Sequence, residues 1–378
     1  MASPLPEVSI ILPTYNRADT LTRAVDSITG QTFQDWELVI VDDGSTDSTA
    51  QLDFGKDPRI QVIRQHNLGV AAARNTGIAA SRGRLIAFLD SDDEWLPYFL
   101  DLSVGFLRAF PEDHYVTLEF FEEDTSRRVL KDRIVNAYLP EARAIGSHAL
   151  DLGPGETDDY LRVFQSRQQI GRWGTKHLQA CEAQGAFLYQ GHIFHHTRWG
   201  YFAWLPTTVV TRHALQVVGS FDTSRRSAED YPFQALLAHH FRTNFISVPS
   251  ARKHERSLNA GPMKEDHLAG GSNAYSFRMN RLHYFDQLHW SQNRNDPELS
   301  LVRRHYVYET ACIALNSGFR SKAVALFKEA ACFHNRLWQA YLLIALIVCC
   351  PSDKAASTAY GGVRLVSRIL RHLPFETT

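Results

Sequence analysis

The sequence predicts an α/β fold: a mixed, mostly parallel sheet flanked by helices, followed by an α-helical C-terminal region. Three observations carry this. Short β-branched runs alternate with helix-period segments through the first hundred residues; polar clusters follow directly on several of those runs; and helical spacing returns, without strands, after residue 296.

The elements follow in order. VSIIL (Val8–Leu12) reads as a buried strand, and Asp19 as the N-cap of a helix with apolar positions at Leu21, Ala24, Val25 and Ile28. ELVIV (Glu37–Val41) and IQVIR (Ile60–Arg64) are the second and third strands. The alanine-rich stretch from Gly69 to Ser81 is helical in pattern, and RLIAFL (Arg84–Leu89) is the fourth strand. From Tyr115 to Trp199 the alternation fades. LPTTVVT (Leu205–Thr211) restores strand character, and Ser227–Phe241 reads as a helix with Phe233, Leu236, Leu237 and Phe241 on its apolar face. Asp296-Pro297 opens a helix well, because aspartate caps and proline suits the first turn; Asn316-Ser317-Gly318 ends it. Ser321–Phe333 and Leu337–Cys350 read as further helices, the tail loosely resembling one tetratricopeptide unit.

Composition narrows the function classes. The chain has 378 residues, 44% hydrophobic, and a formal net charge of −1, so it lacks the basic excess of a nucleic-acid binder. Its five cysteines have no C-x-x-C pairing, which disfavours a disulfide framework or a zinc site and favours a reducing compartment. MASPLPEVSIIL lacks the basic start and apolar core of a signal peptide, and AYLLIALIVCC (Ala340–Cys350) is too short to span a bilayer. These features predict a cytoplasmic protein and leave a peripheral membrane contact and a homodimer open.

In open α/β sheets ligands bind beyond the carboxyl ends of the strands. There the sequence places Pro13, Thr14, Tyr15, Asn16 and Arg17 after the first strand, Asp42-Asp43-Gly44-Ser45 after the second, and Asp90-Ser91-Asp92-Asp93 after the fourth. Crowded carboxylates repel, and a hard divalent cation relieves that repulsion; magnesium or manganese takes one or two of them and completes its shell with phosphate oxygens. The cluster thus implies a phosphorylated ligand, against the simpler reading of a capping turn. An acidic residue at the end of a second strand suits a base or ribose, yet neither G-x-G-x-x-G nor a P-loop is present.

The runs VSIILPTYNRADTLTRAVDSITGQTFQDWELVIVDDGSTDST, NLGVAAARNTGIAASRGRLIAFLDSDD and SAEDYPFQALLA resemble those of a family 2 glycosyltransferase of the inverting GT-A type. The likeness is dense over Val8–Trp95, returns at Pro206–Asn259, and does not cover Tyr115–Trp199. It implies a nucleotide-sugar half (1–110), an insertion or acceptor-side segment (111–204), an acceptor half with the catalytic base (205–290) and a helical C-terminal region (291–378). By resemblance, Pro13, Thr14, Tyr15 and Arg17 line the nucleotide pocket and Asp43 bonds the base. Arg74 helps bind nucleotide, Asp90 and Ser91 approach the ribose or sugar, and Asp92 and His254 hold Mn²⁺ or Mg²⁺ on the diphosphate. Asp230 matches the base, with Glu229 its rival. An ordinary aspartate, with a pKa of ~3.9, is ionised at neutral pH and available to take a hydroxyl proton.

The resemblance implies transfer of one sugar from a nucleotide-diphosphate sugar, UDP-linked by family habit, to a glycan, lipid-linked or protein acceptor. Processive relatives carry Q-x-x-R-W after the base; here GRWG (Gly171–Gly174) precedes Asp230, which favours single addition. His192, His195 and His196 lack the glutamate of H-E-x-x-H, so with Trp199, Tyr201 and Trp204 they are expected to border the acceptor site, Trp199 and Trp204 offering faces to a sugar ring. Two rivals stand beside this reading. A sugar nucleotidyltransferase needs a glycine-rich basic loop where PTYNR stands, and a non-catalytic binding module has no use for Asp92, Asp230 and His254 together.

Overall fold

The computed structural model describes residues 5–123, 129–130, 157–176, 178, 185–199, 203–254, 272–317 and 319–332. The expected Leu337–Cys350 helix, with the apolar Ala340–Cys350 run, lies outside them, as do Tyr201 and Cys181, Cys349 and Cys350. Cys312 is buried. Among the described residues no helix is long and apolar enough to cross a membrane. Contacts divide the chain into two compact units, Met1–Glu255 and Arg256–Thr378.

The first unit is built on one mixed, mostly parallel sheet. Its strands are β1 (Val8–Thr14), β2 (Trp36–Asp42), β3 (Ile60–Arg64), β4 (Leu85–Phe88), β5 (Glu94–Trp95), β6 (Tyr115–Glu123), β7 (Val129–Leu130), β8 (Ser166–Gln169), β9 (Phe187–Gly191), β10 (Thr208–Thr211) and β11 (Thr243–His254). Their spatial order is β3-β2-β1-β4-β10-β6-β11-β9-β8, with β5 paired to β11 and β7 to β6. β10 runs antiparallel to both β4 and β6, so β1, β2, β3, β4, β6 and β11 point the same way and end on one edge.

Side-chain alternation explains the layers. On one face Val8, Ile10, Leu12, Leu38, Ile40, Leu85 and Ala87 pack against helix α1 (Leu21–Thr29) and helix α3 (Phe99–Ala109). On the other, Ile11, Val39, Val41, Ile86 and Phe88 pack against α2 (Val70–Ala80), α4 (Arg212–Val218) and α5 (Asp230–His240). A strand buried on both faces must be apolar at successive positions, which is why VSIIL shows no polar alternation.

Two local expectations need correction. Asp19 does not cap α1: the helix opens at Leu21 behind Thr20, whose side chain makes no capping bond. Leu205–Thr207 is a 3₁₀ turn rather than strand, and α5 begins at Asp230 rather than Ser227.

α2 returns to the sheet through Gly83, whose N–H donates to Ser9 Oγ at 2.7 Å. A Cβ there would sit 2.6 Å from the Ser9 backbone nitrogen. Gly83→Ala is therefore expected to cost about 1–3 kcal/mol by forcing β1 and the turn apart, read as a lower urea midpoint.

The second unit contains α6 (Ser272–Phe285), α7 (Pro297–Asn316) and α8 (Arg320–Cys332). Asp296 caps α7 by accepting from Glu298 N and Leu299 N, as the Asp-Pro pair predicts. Arg303 ties α7 to Asp286 and to Glu329 of α8.

Candidate functional site

Predicted residues at the carboxyl edge of the sheet come from the ends of β1, β2, β4 and β11 and from helices α2 and α5. The loop after β1 turns at Asn16, which takes a left-handed φ of 51°. Asparagine tolerates that conformation because its side chain bonds locally, and here Asn16 Oδ1 accepts from Thr46 N while its own N–H donates to Ser45 Oγ. The β1 and β2 loops are thereby locked together. Pro13 pairs with Val41 inside the sheet, and Arg17 N donates to Thr49 Oγ1. Tyr15 stands 42% exposed, an open ring at the rim. Thr14 Oγ1 is buried and finds no partner among the described residues, a polar group suited to a ligand at this edge.

Asp43 is buried and well supplied with donors. Gln65 Nε2 and Leu68 N donate to Oδ1, and Gly69 N donates to Oδ2 at 2.8 Å. A carboxylate has about four acceptor positions, so one remains after these three bonds. Gln65 is itself held by the Thr76 hydroxyl.

After β4, Asp90 accepts from Arg74 Nη2 at 2.8 Å, and the same guanidinium donates from Nη1 to Glu229 Oε1 at 2.5 Å. Arg74, Ser91, Asp93 and Glu229 are buried. Burial pushes the Glu229 carboxyl up against the pull of Arg74, with the neighbouring Asp230 charge adding to the rise. Asp230 is the first residue of α5, where the helix dipole favours a negative charge.

β5 brings the acidic cluster to the end of β11. Glu94 pairs with Arg252, Asp93 Oδ1 accepts from His254 N at 2.9 Å, and Glu94 Oε1 lies 3.0 Å from His254 Nε2. His254, one histidine among seventeen, is thus seated beside Asp93 and Glu94. Burial, then the charges of Asp92 and Asp90, drive the Asp93 carboxyl far above its ordinary range. That surplus of negative charge fits a divalent cation. Among the described residues no three His, Cys, Asp or Glu side chains form a metal cage. A cation at this edge would complete its shell with phosphate and water. Arg17 Nε lies 3.7 Å from Asp92 at the same rim.

The expected aromatic acceptor border is different in kind. Trp199 is fully buried and presents no open face to a sugar ring; Trp204 is partly buried and packs on Phe120 at 4.6 Å between centroids. The turn Phe194–Trp199 instead braces α5, because the Tyr231 hydroxyl donates to Thr197 O at 3.0 Å. His192 and His195 are exposed, whereas His196 is buried. Burial first, then the charges of His195 and Arg198, lower its pKa from 6.5 to about 3. Unfolded, this histidine binds a proton below 6.5; folded, it does not until about pH 3. Stability from this group is thus complete above 6.5 and lost as the pH falls towards 3, about 2 kcal/mol by pH 5. His196→Gln is expected to flatten that acid limb, measured as urea midpoints at pH 7 and pH 5.

Sequence reasoning missed Asp93 and Glu94, which seat His254, and Gln65, which orients Asp43. Asp93 stood in the acidic run Asp90-Ser91-Asp92-Asp93, and Glu94 directly follows it; nothing local marks Gln65.

Comparison with known proteins accords with this geometry. Residues 9–153 match the family model described as glycosyl transferase family 2. The UDP-Glc:alpha-D-GlcNAc-diphosphoundecaprenol beta-1,3-glucosyltransferase WfgD of Escherichia coli is 41% identical over 103 residues, covering 26% of this chain and 40% of that protein. Glycosyltransferase GlyA of Streptococcus pneumoniae serotype 4 is 37% identical over 185 residues, covering 44% of this chain and 26% of that one. The chain thus spans less than half the length of these curated relatives. The crystal structure of S. aureus TarS 1–349 superposes with a TM-score of 0.51 at 16% identity, covering 98% of this chain and 94% of that one, a likeness of fold. Strand order, matched segment and relatives thus agree: residues 9–153 are similar to glycosyl transferase family 2, and the fold is like that of TarS.

Proposed function

We propose that this protein is an inverting, metal-dependent glycosyltransferase that moves one sugar from a nucleotide-diphosphate sugar to an acceptor hydroxyl. A UDP-linked donor is favoured, since the name of WfgD specifies UDP-Glc. The acceptor belongs to glycan, lipid-linked saccharide or glycoprotein synthesis. The observation that supports the reading is that Glu229, next to Asp230, is joined through Arg74 to Asp90, whose acidic run meets His254 through Asp93.

Asp43, Thr14 and Tyr15 would bind the base, and Asp90 and Ser91 the ribose or sugar. Asp92 and His254 would hold Mn²⁺ or Mg²⁺, which when bound offsets the charge of the departing diphosphate. Asp230 takes the acceptor hydroxyl proton as that oxygen attacks the anomeric carbon. The new C–O bond forms on the face opposite the breaking one, and the nucleoside diphosphate leaves with the electron pair of the old bond. A good leaving group needs no general acid, so one carboxylate suffices where glycosidases use two. Glu229, neutralised by Arg74, is the weaker candidate for the base.

The test is release of nucleoside diphosphate from a panel of sugar nucleotides with manganese, magnesium or chelator. Release from a UDP-sugar is expected, falling about 100-fold or more with chelator. If calorimetry with manganese also finds no nucleotide binding, the enzyme reading fails in favour of a binding module.

A further inference from the structure

The segment that leads into Asp230 is held at both ends by one helix. At its start, Asn75 of α2 makes a two-way bond with the Phe221 backbone: Nδ2 donates to Phe221 O, and Phe221 N donates to Oδ1, both at 2.9 Å. At its end, Arg74 of the same helix donates to Glu229, while its other nitrogen reaches Asp90 at the end of β4. The Arg74 guanidinium also lies 5.4 Å from the centre of the Phe221 ring, which stacks on Phe233 of α5 at 4.4 Å. Between these anchors Ala228 is buried at a left-handed φ of 61°, a conformation that costs a residue with a Cβ about 1 kcal/mol or more. Such a turn persists only where its surroundings hold it, and Arg74 and Asn75 are among the holding groups here.

We propose that Arg74 and Asn75 are positioning residues for the reaction: α2 grips segment 221–229 at both ends, forces the Ala228 turn, and so fixes the Asp230 carboxylate relative to the donor side of the sheet. This rests on Asp230 being the base. It gives Arg74 a task distinct from nucleotide binding, since two of its three guanidinium nitrogens are taken by Glu229 and Asp90. Asn75 bonds the Phe221 backbone on both of its amide atoms and holds the base by reach alone.

The experiment compares Asn75→Ala, Glu229→Gln and Arg74→Lys with the unaltered chain, all well below their melting temperatures. Two quantities are read: kcat for release or transfer, and Kd for UDP with manganese. The proposal expects kcat to fall about 10- to 100-fold in Asn75→Ala and Glu229→Gln, because a displacement near 1 Å costs that much. UDP affinity should stay within about twofold. Arg74→Lys should recover at most part of the loss, since an ammonium cannot span two carboxylates as a planar fork does. A lower Tm with unchanged kcat in Asn75→Ala and Glu229→Gln would make the clamp merely structural and overturn the proposal. A tenfold weaker UDP affinity in Arg74→Lys, with kcat kept, would make Arg74 a nucleotide ligand and overturn it too. Asp230→Asn runs beside them: full turnover in that variant would remove the base assignment itself, whatever the α2 variants do.

Discussion

Asp230→Asn is expected to lower sugar transfer by about 10²- to 10⁴-fold, the usual contribution of one general base. UDP binding with manganese should change by less than about twofold. Asn keeps the size of the side chain and its place at the first turn of α5, so the loss would be chemical rather than structural. It cannot accept the hydroxyl proton. The nucleotide side as proposed uses the loops after β1, β2 and β4, and Arg74 stands between Asp90 of that side and Glu229, which is why affinity is expected to survive. Loss of nucleotide binding alongside turnover would mean that Asp230 holds the donor or the fold, and the base would have to be sought elsewhere.

Arg74→Met is expected to be the most destabilising single change at the site, by about 3–5 kcal/mol, a drop in Tm of roughly 10 °C. Methionine fills much of the volume but strips the cation from two carboxylates at once. Glu229 is buried and would be left with an unpaired charge beside Asp230. Its escape is to take up a proton. A carboxyl raised in the folded state binds more protons folded than unfolded above its ordinary pKa, so stability falls as pH rises through the raised value. The penalty of Arg74→Met should therefore be larger at pH 8 than at pH 5. Equal penalties at both would mean that Glu229 does not carry the cost.

These two predictions separate what was legible in the sequence from what was not. Strand runs such as VSIIL and the Asp296-Pro297 cap are local signals, and local signals survive into the structure. The convergence at the strand ends was readable too, because parallel topology carries every such loop to one edge. What could not be read is contact at long separation. Arg74 and Glu229 lie 155 positions apart, and nothing in AAARNTG announces a partner in SAED. The aromatic segment misled for a related reason: a tryptophan that binds sugar and one that fills a core look alike until burial is known, and Trp199 is wholly interior. The Asp19 cap failed by one residue, within the ordinary fraying of helix starts.

The strand order has a consequence for how the chain comes into being on the ribosome. β10 sits between β4 and β6, yet it is made 85 residues after β6 ends, from Glu123 to Thr208. At about 5–20 residues per second that interval lasts several seconds. Throughout it, β4 has one open edge and β6 lacks both of its main neighbours, β10 and β11. Unsatisfied strand edges recruit other strands, so the nascent first unit is a sticky intermediate. It has to be shielded until the last two strands arrive, and β11 arrives carrying His254. His254 therefore meets Asp93 last, and a ribosome stalled before Thr208 would display the loops after β1, β2 and β4 on an unfinished sheet.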